Sequence, residues 1–362
     1  MIPKLNIDFP VSMVFKSFYP WIKGERYEVC DGDRFYINHA RTGLRIALSS
    51  LNLPKGSRVG VSMYNCFTVM NSVRAAGFEI EFLELTDDLL LDIEFLKNKK
   101  EVLSAVIVTH FYGIANDVDK IRETLPNIPI IEDCAHSYGA SFSDGNDIGT
   151  KGDFAVFSVG LGKFPSIGDG GIMVVNNNHY SERVKAACEK LPSLSFRKEL
   201  SMILKSHLLY LAYRPFVYGL LLPLKKRQQK KGIDRGMYRH IEAKMPRYVR
   251  YLFENDMDNL LLLKNIQLNN VVCLKKVLQK VNGVCVPMLD VNHINGFLFP
   301  IIVDDKSLLS GAPFLSDLEK TSHFESSVIW AKQFGYADDC PNAEKIAKHI
   351  VVLPTYTKRK SC

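Results

Sequence analysis

The sequence predicts an α/β fold built on a large, mainly parallel β-sheet. Between about residues 35 and 175, segments with strand character alternate with segments of helical apolar spacing, which is the pattern of βαβ units. Several strand candidates, such as Ala105–Val108, are continuous apolar runs, as expected for strands covered by helices on both faces. The length of 362 residues and a hydrophobic content of 47% allow a large core and two domains.

The individual elements are predicted from local periodicity and turn residues. The first helix covers Arg41–Leu48, where apolar residues recur at helical spacing after a small, polar start. Strands are predicted at Arg58–Ser62, Glu79–Leu85, Ala105–His110, Pro129–Glu132, Phe154–Ser158 and Gly171–Asn176. The helices that fit between them include Thr68–Ala76 and Asn116–Thr124.

The character of the sequence changes after about Leu191. Residues 200–224 are strongly apolar and aromatic, and the basic run Lys225–Lys231 follows. Arg214 and Pro215 interrupt the apolar stretch, which is too short and too broken for a membrane span. The order of apolar, aromatic and basic residues suits a segment that lies on a membrane surface, and a packed interface or a hydrophobic lid also fits.

We therefore divide the chain into three parts. Residues 1–195 are predicted to form a large cofactor-binding α/β domain, and residues 196–240 an apolar and basic insertion. A smaller C-terminal α/β domain is predicted over residues 241–362, with a strand at Phe297–Val303.

Composition argues against several classes of protein. The formal net charge of +7 is modest for this length and does not by itself indicate binding to nucleic acid. The eight cysteines are scattered without a Cys-x-x-Cys pair, and the histidines lack metal-ligand spacing, so no metal site is predicted. With no visible signal peptide, a reduced, cytoplasmic protein is expected.

The densest chemical signal lies between Ile130 and Gly171. The strand that begins this segment ends near Asp133 and His136, and ligands of open α/β sheets bind beyond the carboxyl ends of strands. The next strand ends at Ser158, and Lys163 follows in a loop rich in glycine, which would let a ligand approach closely.

Two familiar glycine motifs do not fit this loop. A P-loop requires a glycine where Phe157 stands and a serine or threonine where Phe164 stands. A dinucleotide-binding fingerprint requires a glycine where Pro165 stands.

A lysine, an upstream carboxylate and a phosphate cradle on neighbouring strand ends fit pyridoxal 5'-phosphate (PLP). The lysine amine binds this cofactor as a Schiff base, and the carboxylate keeps the pyridine nitrogen protonated so that the ring can accept electrons. Small hydroxyl residues and backbone N–H groups at a helix start would hold the phosphate.

The motifs of this region resemble those of one enzyme family. They are Ile131–Ala140, Gly152–Ser158, Lys163 with Gly168–Gly171, and the flanking pieces Ala40–Leu48, Thr109–Gly113 and Cys340–Ala347. Together they are similar to the nucleotide-sugar aminotransferases of the DegT/StrS group. The resemblance covers about residues 35–180 well and the last forty residues moderately, and it implies the fold-type I architecture of PLP-dependent aminotransferases.

The resemblance implies a role for three residues around the cofactor ring. Lys163 would be the Schiff-base lysine and the acid–base group, and Asp133 would pair with the pyridinium nitrogen. His136 would contact the side of the ring that bears the hydroxyl, unless it is only a structural histidine.

Four further positions carry over with alternatives. Ser158, Arg41 and Thr42 match phosphate-binding positions, although Thr42 also suits a helix cap. Cys66 stands where the family places an aromatic ring over PLP, and it could equally be a core residue.

As a whole, the resemblance implies an aminotransferase that moves an amino group from glutamate to a nucleotide-linked keto-sugar for amino-sugar and surface polysaccharide synthesis. It also implies a homodimer with sites at the subunit interface, in the cytoplasm, with membrane-surface contact through residues 200–231 as a further expectation. One alternative is a PLP-dependent sugar dehydratase, in which the family's lysine is replaced by histidine. A non-catalytic PLP-binding protein and a membrane-associated scaffold are the others.

Overall fold

Eight strands form the large sheet of the protein. The computed structural model describes residues 2–3, 5–221, 241–309, 328 and 340–356, so the basic run 225–231 lies outside the described residues. The strands are β1 (Cys30–Asp31), β2 (Arg34–Ile37), β3 (Arg58–Ser62), β4 (Glu79–Leu83), β5 (Ala105–Thr109), β6 (Ile130–Asp133), β7 (Phe154–Ser158) and β8 (Gly171–Val175). Their spatial order is β1-β2-β8-β7-β6-β5-β3-β4.

The central strands of this sheet are parallel. Strands β4, β3, β5, β6 and β7 run in the same direction, whereas β8 is antiparallel to both β7 and β2. The predicted α/β class with a mainly parallel sheet is confirmed. Strands β3 and β7 have the predicted bounds, and the other predicted strands differ at their ends by one or two residues.

Helices cover the sheet and its edges. They are α1 (Val11–Lys16), α2 (Tyr19–Ile22), α3 (Ala40–Ser50), α4 (Phe67–Ala75), α5 (Ile93–Lys99), α6 (Val118–Thr124), α7 (Ser181–Glu189), α8 (Phe196–Ala212), α9 (Arg247–Asn255), α10 (Met257–Leu278) and α11 (Pro341–His349). Helix α3 begins so close to β8 that a Cβ atom on Gly171 would lie 2.5 Å from the Ala40 nitrogen. Glycine is therefore required where β8 passes the start of this helix.

A second, antiparallel sheet lies in the C-terminal part. Its strands are β9 (Val284–Cys285), β10 (Leu298–Val303) and β11 (Ile350–Pro354), in the order β11-β10-β9. Its buried residues belong to the same apolar core as those of the large sheet. None of the described helices is long and apolar enough to cross a membrane. The three-part division of the chain stays a prediction.

The buried carboxylate of Glu132 connects β6 to the turn before β7. Its Oε1 accepts hydrogen bonds from the backbone N–H of Lys151 (2.8 Å) and Gly152 (2.5 Å), and its Oε2 accepts from the N–H of Gly149 (2.9 Å). Burial alone would raise the pKa of Glu132, but the His110 hydrogen bond and these N–H groups hold it below its ordinary value.

His110 completes this connection. Its Nδ1 accepts from the Asn116 N–H at 3.1 Å, so its Nε2 carries the hydrogen that is donated to Glu132 Oε2 at 3.0 Å. The ligand atoms of His110, Glu132 and Cys134 lie within 4.8 Å of one another, a spacing that could suit a metal ion. Because Glu132 already accepts four hydrogen bonds, we interpret the cluster as a structural anchor.

Replacing Glu132 by glutamine tests this anchor. The Glu132→Gln side chain turns one acceptor oxygen into a donor, which leaves buried N–H groups without an acceptor. We expect a loss of about 2–3 kcal/mol in the free energy of unfolding, measured by urea denaturation. The control is Glu94→Gln, an exposed residue that pairs with Lys97 and should leave stability near that of the wild type. Equal stability of both variants would contradict the anchoring role.

Candidate active site

A cavity of 340 Å³ lies at the carboxyl ends of three parallel strands. Thr109, Asp133 and Ser158, the last residues of β5, β6 and β7, all line it. The first turns of α3 and α4 face the same cavity through Arg41 and Thr68. Strand ends and helix N-termini thus meet at one edge of the sheet, which is where α/β proteins bind anionic ligands.

The structure brings together six of the seven residues predicted for the site. The cavity is lined by Lys163, Asp133, His136, Ser158, Arg41 and Cys66. Thr42 is fully buried in α3 instead, and its Oγ1 donates a hydrogen bond to Asn38 Oδ1 at 3.0 Å. The hydroxyl of Thr42 therefore faces back toward the residues before α3, and the N-cap of this helix is His39 rather than Thr42.

Asp133 is held in a fixed orientation by its neighbours. Its Oδ1 accepts from the Ala135 N–H at 3.1 Å, and its Oδ2 accepts from Thr109 Oγ1 at 3.3 Å. Thr109 Oγ1 in turn accepts from Asn65 Nδ2 at 2.9 Å. Burial raises the pKa of Asp133, and the Ala135 hydrogen bond and the Lys163 charge oppose that rise. The carboxylate is thus positioned before any ligand binds.

Lys163 has the properties of a nucleophilic amine. Burial lowers its pKa and the Arg41 charge adds to that effect, whereas Cys66 and Asp133 act in the opposite direction. A lowered pKa raises the fraction of neutral amine at a given pH, and the neutral amine is the form that attacks a carbonyl carbon. A Cβ on neighbouring Gly160 would approach Ser158 Oγ to 3.3 Å, so the glycine keeps space open beside the lysine.

His136 packs between two aromatic rings at the back of the cavity. Its ring centroid is 5.3 Å from those of Tyr112 and Phe297. Tyr112 has a φ of 56°, which non-glycine residues rarely adopt, and its hydroxyl is 2.8 Å from that of Tyr64. Strained backbone of this kind clusters at functional sites. It places the Tyr112 ring against His136.

Cys66 lines the cavity at the loop after β3, together with Asn65 and Thr68. Its Sγ is 3.0 Å from Thr68 Oγ1. The nearby Tyr64 ring is fully buried in the core. In this loop a thiol therefore lines the wall, at the position where the family places an aromatic ring, as the sequence resemblance implies.

Sequence analysis missed the residues that α8 supplies to the cavity. These are Met202, Lys205, Ser206 and Leu209. The segment was assigned to an insertion without a role in the site. The only signal in the sequence is that the four positions share one face of a helix, at spacings of three and four residues.

The residues of this cavity fit PLP. The cofactor's aldehyde requires an amine, which is the lysine of lowered pKa, and its ring nitrogen requires a carboxylate, which is buried here in a fixed orientation. Its phosphate requires donors such as the Ser158 hydroxyl and the Arg41 guanidinium at the first turn of α3. A volume of 340 Å³ is within the usual range for a small-molecule site.

The large, mainly parallel sheet of this chain, with Lys163 in the loop after β7, has the fold of PLP-dependent sugar aminotransferases. Residues 36–199 match the family described as the DegT/DnrJ/EryC1/StrS aminotransferase family. The predicted resemblance and fold are confirmed.

Comparison with individual proteins extends the likeness of fold over most of the chain. GDP-perosamine synthase from Vibrio cholerae is 29% identical over 164 residues, which are 42% of this chain and 44% of that protein, so the match spans less than half the length of this relative. The crystal structure of the sugar aminotransferase CalS13 from Micromonospora echinospora has a TM-score of 0.75 at 16% identity, covering 98% of this chain and 95% of that one. A GDP-4-keto-6-deoxymannose-3-dehydratase has a TM-score of 0.73 at 14% identity, covering 98% and 96%.

The position of Cys66 gives a test of where PLP binds. We expect PLP to reduce alkylation of Cys66 by iodoacetamide several-fold, because a bound ring would cover this part of the wall. Peptide mass spectrometry measures the labelling, and the exposed thiol of Cys285 is the internal control, which PLP should not protect. Equal labelling of Cys66 with and without saturating PLP would place the cofactor away from the start of α4.

Proposed function

We propose that the protein is a PLP-dependent aminotransferase that moves an amino group from glutamate to a nucleotide-linked keto-sugar. The observation that carries the proposal is the convergence of Lys163, Asp133 and Ser158 at the ends of β6 and β7, inside the part of the chain that matches the aminotransferase family. A relative named as a GDP-perosamine synthase supports a sugar nucleotide as the amino acceptor.

Lys163 would hold the cofactor and act as the acid–base group of both half-reactions. Bound PLP supplies an electron sink and a carrier for the amino group. A substrate amine would displace the Lys163 amine from the cofactor. The free Lys163 amine would then take the proton from the substrate carbon that bears nitrogen. Its lowered pKa suits this role, because a general base works best when its pKa is near the operating pH.

The surrounding residues would orient the cofactor. Asp133 would hold a proton on the pyridine nitrogen, and the hydrogen bonds from Ala135 and Thr109 keep its carboxylate in place. Ser158 and Arg41 would bind the phosphate, and His136 would pack near the ring. These roles are proposals that rest on the geometry of the cavity and on the family resemblance.

The overall exchange balances between two substrates. Glutamate loses its amino group and takes up the oxygen of one water to leave as 2-oxoglutarate, and the oxygen of the sugar carbonyl leaves as water when the amino group is delivered, so no net water is consumed. The product would be an amino-sugar nucleotide, which suits the synthesis of surface polysaccharides. We also propose a cytoplasmic homodimer, as expected from the family resemblance.

A sugar dehydratase is the closest alternative, and a dehydratase shares the fold. The presence of Lys163 favours amino transfer, because the resemblance gives dehydratases a histidine at this position.

Absorption spectroscopy tests the role of Lys163. With added PLP, the wild type should show the visible band of lysine-bound cofactor, and glutamate should remove the band as the amino group is transferred. Lys163→Ala should bind PLP without this band, because no amine is present to form the bond. The control Lys190→Ala changes an exposed lysine at the end of α7 and should keep the band. A wild type without the band at excess PLP would rule out the aminotransferase.

We further propose that the outer face of α8 contacts an anionic membrane surface. Leu204, Leu208 and Leu211 form an exposed stripe along this helix, and Leu208 is 65% exposed. Phe216, in the helical residues 215–221, is 79% exposed. The basic run 225–231 follows in the sequence and would attract anionic lipid headgroups.

Sedimentation with liposomes tests this contact. The wild type should pellet with vesicles that contain phosphatidylglycerol and remain in solution with neutral vesicles. The double variant Leu208→Glu/Phe216→Glu should lose most of the binding, because it places charge in the apolar stripe. Val102→Glu, which changes an exposed apolar residue elsewhere, is the matched control and should bind as the wild type does. Wild-type protein that ignores anionic vesicles would disprove the contact.

A further inference from the structure

Helix α8 forms a wall of the active-site cavity, although most of it lies beyond the family match. The match ends at residue 199, and the helix continues to Ala212. Met202, Lys205 and Leu209 lie on its cavity side. The residues of this wall therefore lie outside the part of the chain that the family match covers.

Several contacts fix the position of α8. Ile203 is fully buried beneath the helix, and His207 Nδ1 is 2.9 Å from the backbone oxygen of Phe9. The ring of Phe196, the first residue of α8, packs edge-on against Trp21 with the ring centroids 5.2 Å apart. These contacts hold the backbone of α8 in place. The Lys205 side chain therefore extends from a fixed backbone position beside the cavity.

The cavity receives long cationic side chains from three different elements. Arg41 comes from the first turn of α3, Lys163 from the loop after β7, and Lys205 from α8. The first two have roles in the proposed function, since Lys163 would bind the cofactor covalently and Arg41 would bind its phosphate. Lys205 lines the cavity and is also solvent-exposed, so its ammonium group can meet a ligand that arrives from solution.

We propose that Lys205 binds the diphosphate group of the nucleotide-linked substrate. This inference rests on the proposed function and adds a residue that determines substrate specificity. A diphosphate brings two negative charges into a cavity that already contains the carboxylates of Asp133 and Asp169, so it needs a cation of its own. A lysine ammonium is a compact phosphate-binding charge, and its flexible stem can follow an incoming ligand.

The test measures the binding of inorganic pyrophosphate and of the nucleoside diphosphates UDP and GDP to PLP-loaded protein by calorimetry. Lys205→Gln should weaken binding by about tenfold, the value of one charge-assisted hydrogen bond. Lys205→Arg should restore most of the affinity, because it keeps the charge. Lys198→Gln removes an exposed lysine from the same helix, away from the cavity lining, and should bind as the wild type does.

A second titration separates this site from the cofactor's own phosphate site. The affinity of the unloaded protein for PLP, followed by the visible band, should be the same in Lys205→Gln and in the wild type. If the variant instead loses PLP affinity and keeps pyrophosphate affinity, Lys205 holds the cofactor and the assignment is wrong. The assignment of Lys205 is also wrong if pyrophosphate binds equally to both proteins, or to neither, while the visible band forms. Either of these results would leave the proposed aminotransferase activity standing. Absence of the band in wild-type protein would remove the proposed function.

Discussion

The buried carboxylate of Glu132 determines where the reactive groups of the site lie. Glu132 anchors the turn at 149–152, and Asp133, the next residue of the strand, lines the cavity. The two side chains point in opposite directions because successive side chains of a strand alternate between its two faces. That turn leads into β7, whose last residue is Ser158. These hydrogen bonds thus join the strand that ends in the carboxylate to the turn that leads into the strand ending in the hydroxyl. The cost of burying the Glu132 charge is offset by the four donors that surround it.

The centre of the site could be predicted because it is encoded locally. Asp133, Ser158 and Lys163 follow the ends of two strands with strong apolar patterns, and neighbouring parallel strands end at the same edge of a sheet. The antiparallel strand β2 was not predicted. It has only four residues, and it forms by pairing with β8, more than a hundred residues later in the chain. Short strands of this kind depend on tertiary contacts that local periodicity does not contain.

Thr42 and Cys66 show how the local structure bears on a role that is transferred by sequence position. The motif placed Thr42 at a phosphate-binding position, but its hydroxyl donates to Asn38 because a threonine in the first turn of a helix can bond to the residues just before the helix. Cys66 does line the cavity, and a thiol covers far less of a planar ring than an aromatic side chain would. Position along the chain carries over from a motif, whereas side-chain direction depends on helix phase and on local hydrogen bonds.

Helix α8 lines the cavity with one face and exposes leucines on the other, so the shape of the cavity depends on the contacts that hold this helix in place. Glu199, near its N-terminus, is buried, and burial raises its pKa to about 7 against the opposing hydrogen bond from the Tyr248 N–H. The Glu199 carboxyl thus binds a proton more tightly in the folded protein than in the unfolded chain, where its pKa has the ordinary value of 4.5. Its favourable contribution to stability is therefore complete below about pH 4.5 and is lost as the pH rises through about 7. Since Lys205 lies on the cavity face and Leu208 on the exposed face of the same helix, a change in the seating of α8 moves both surfaces together.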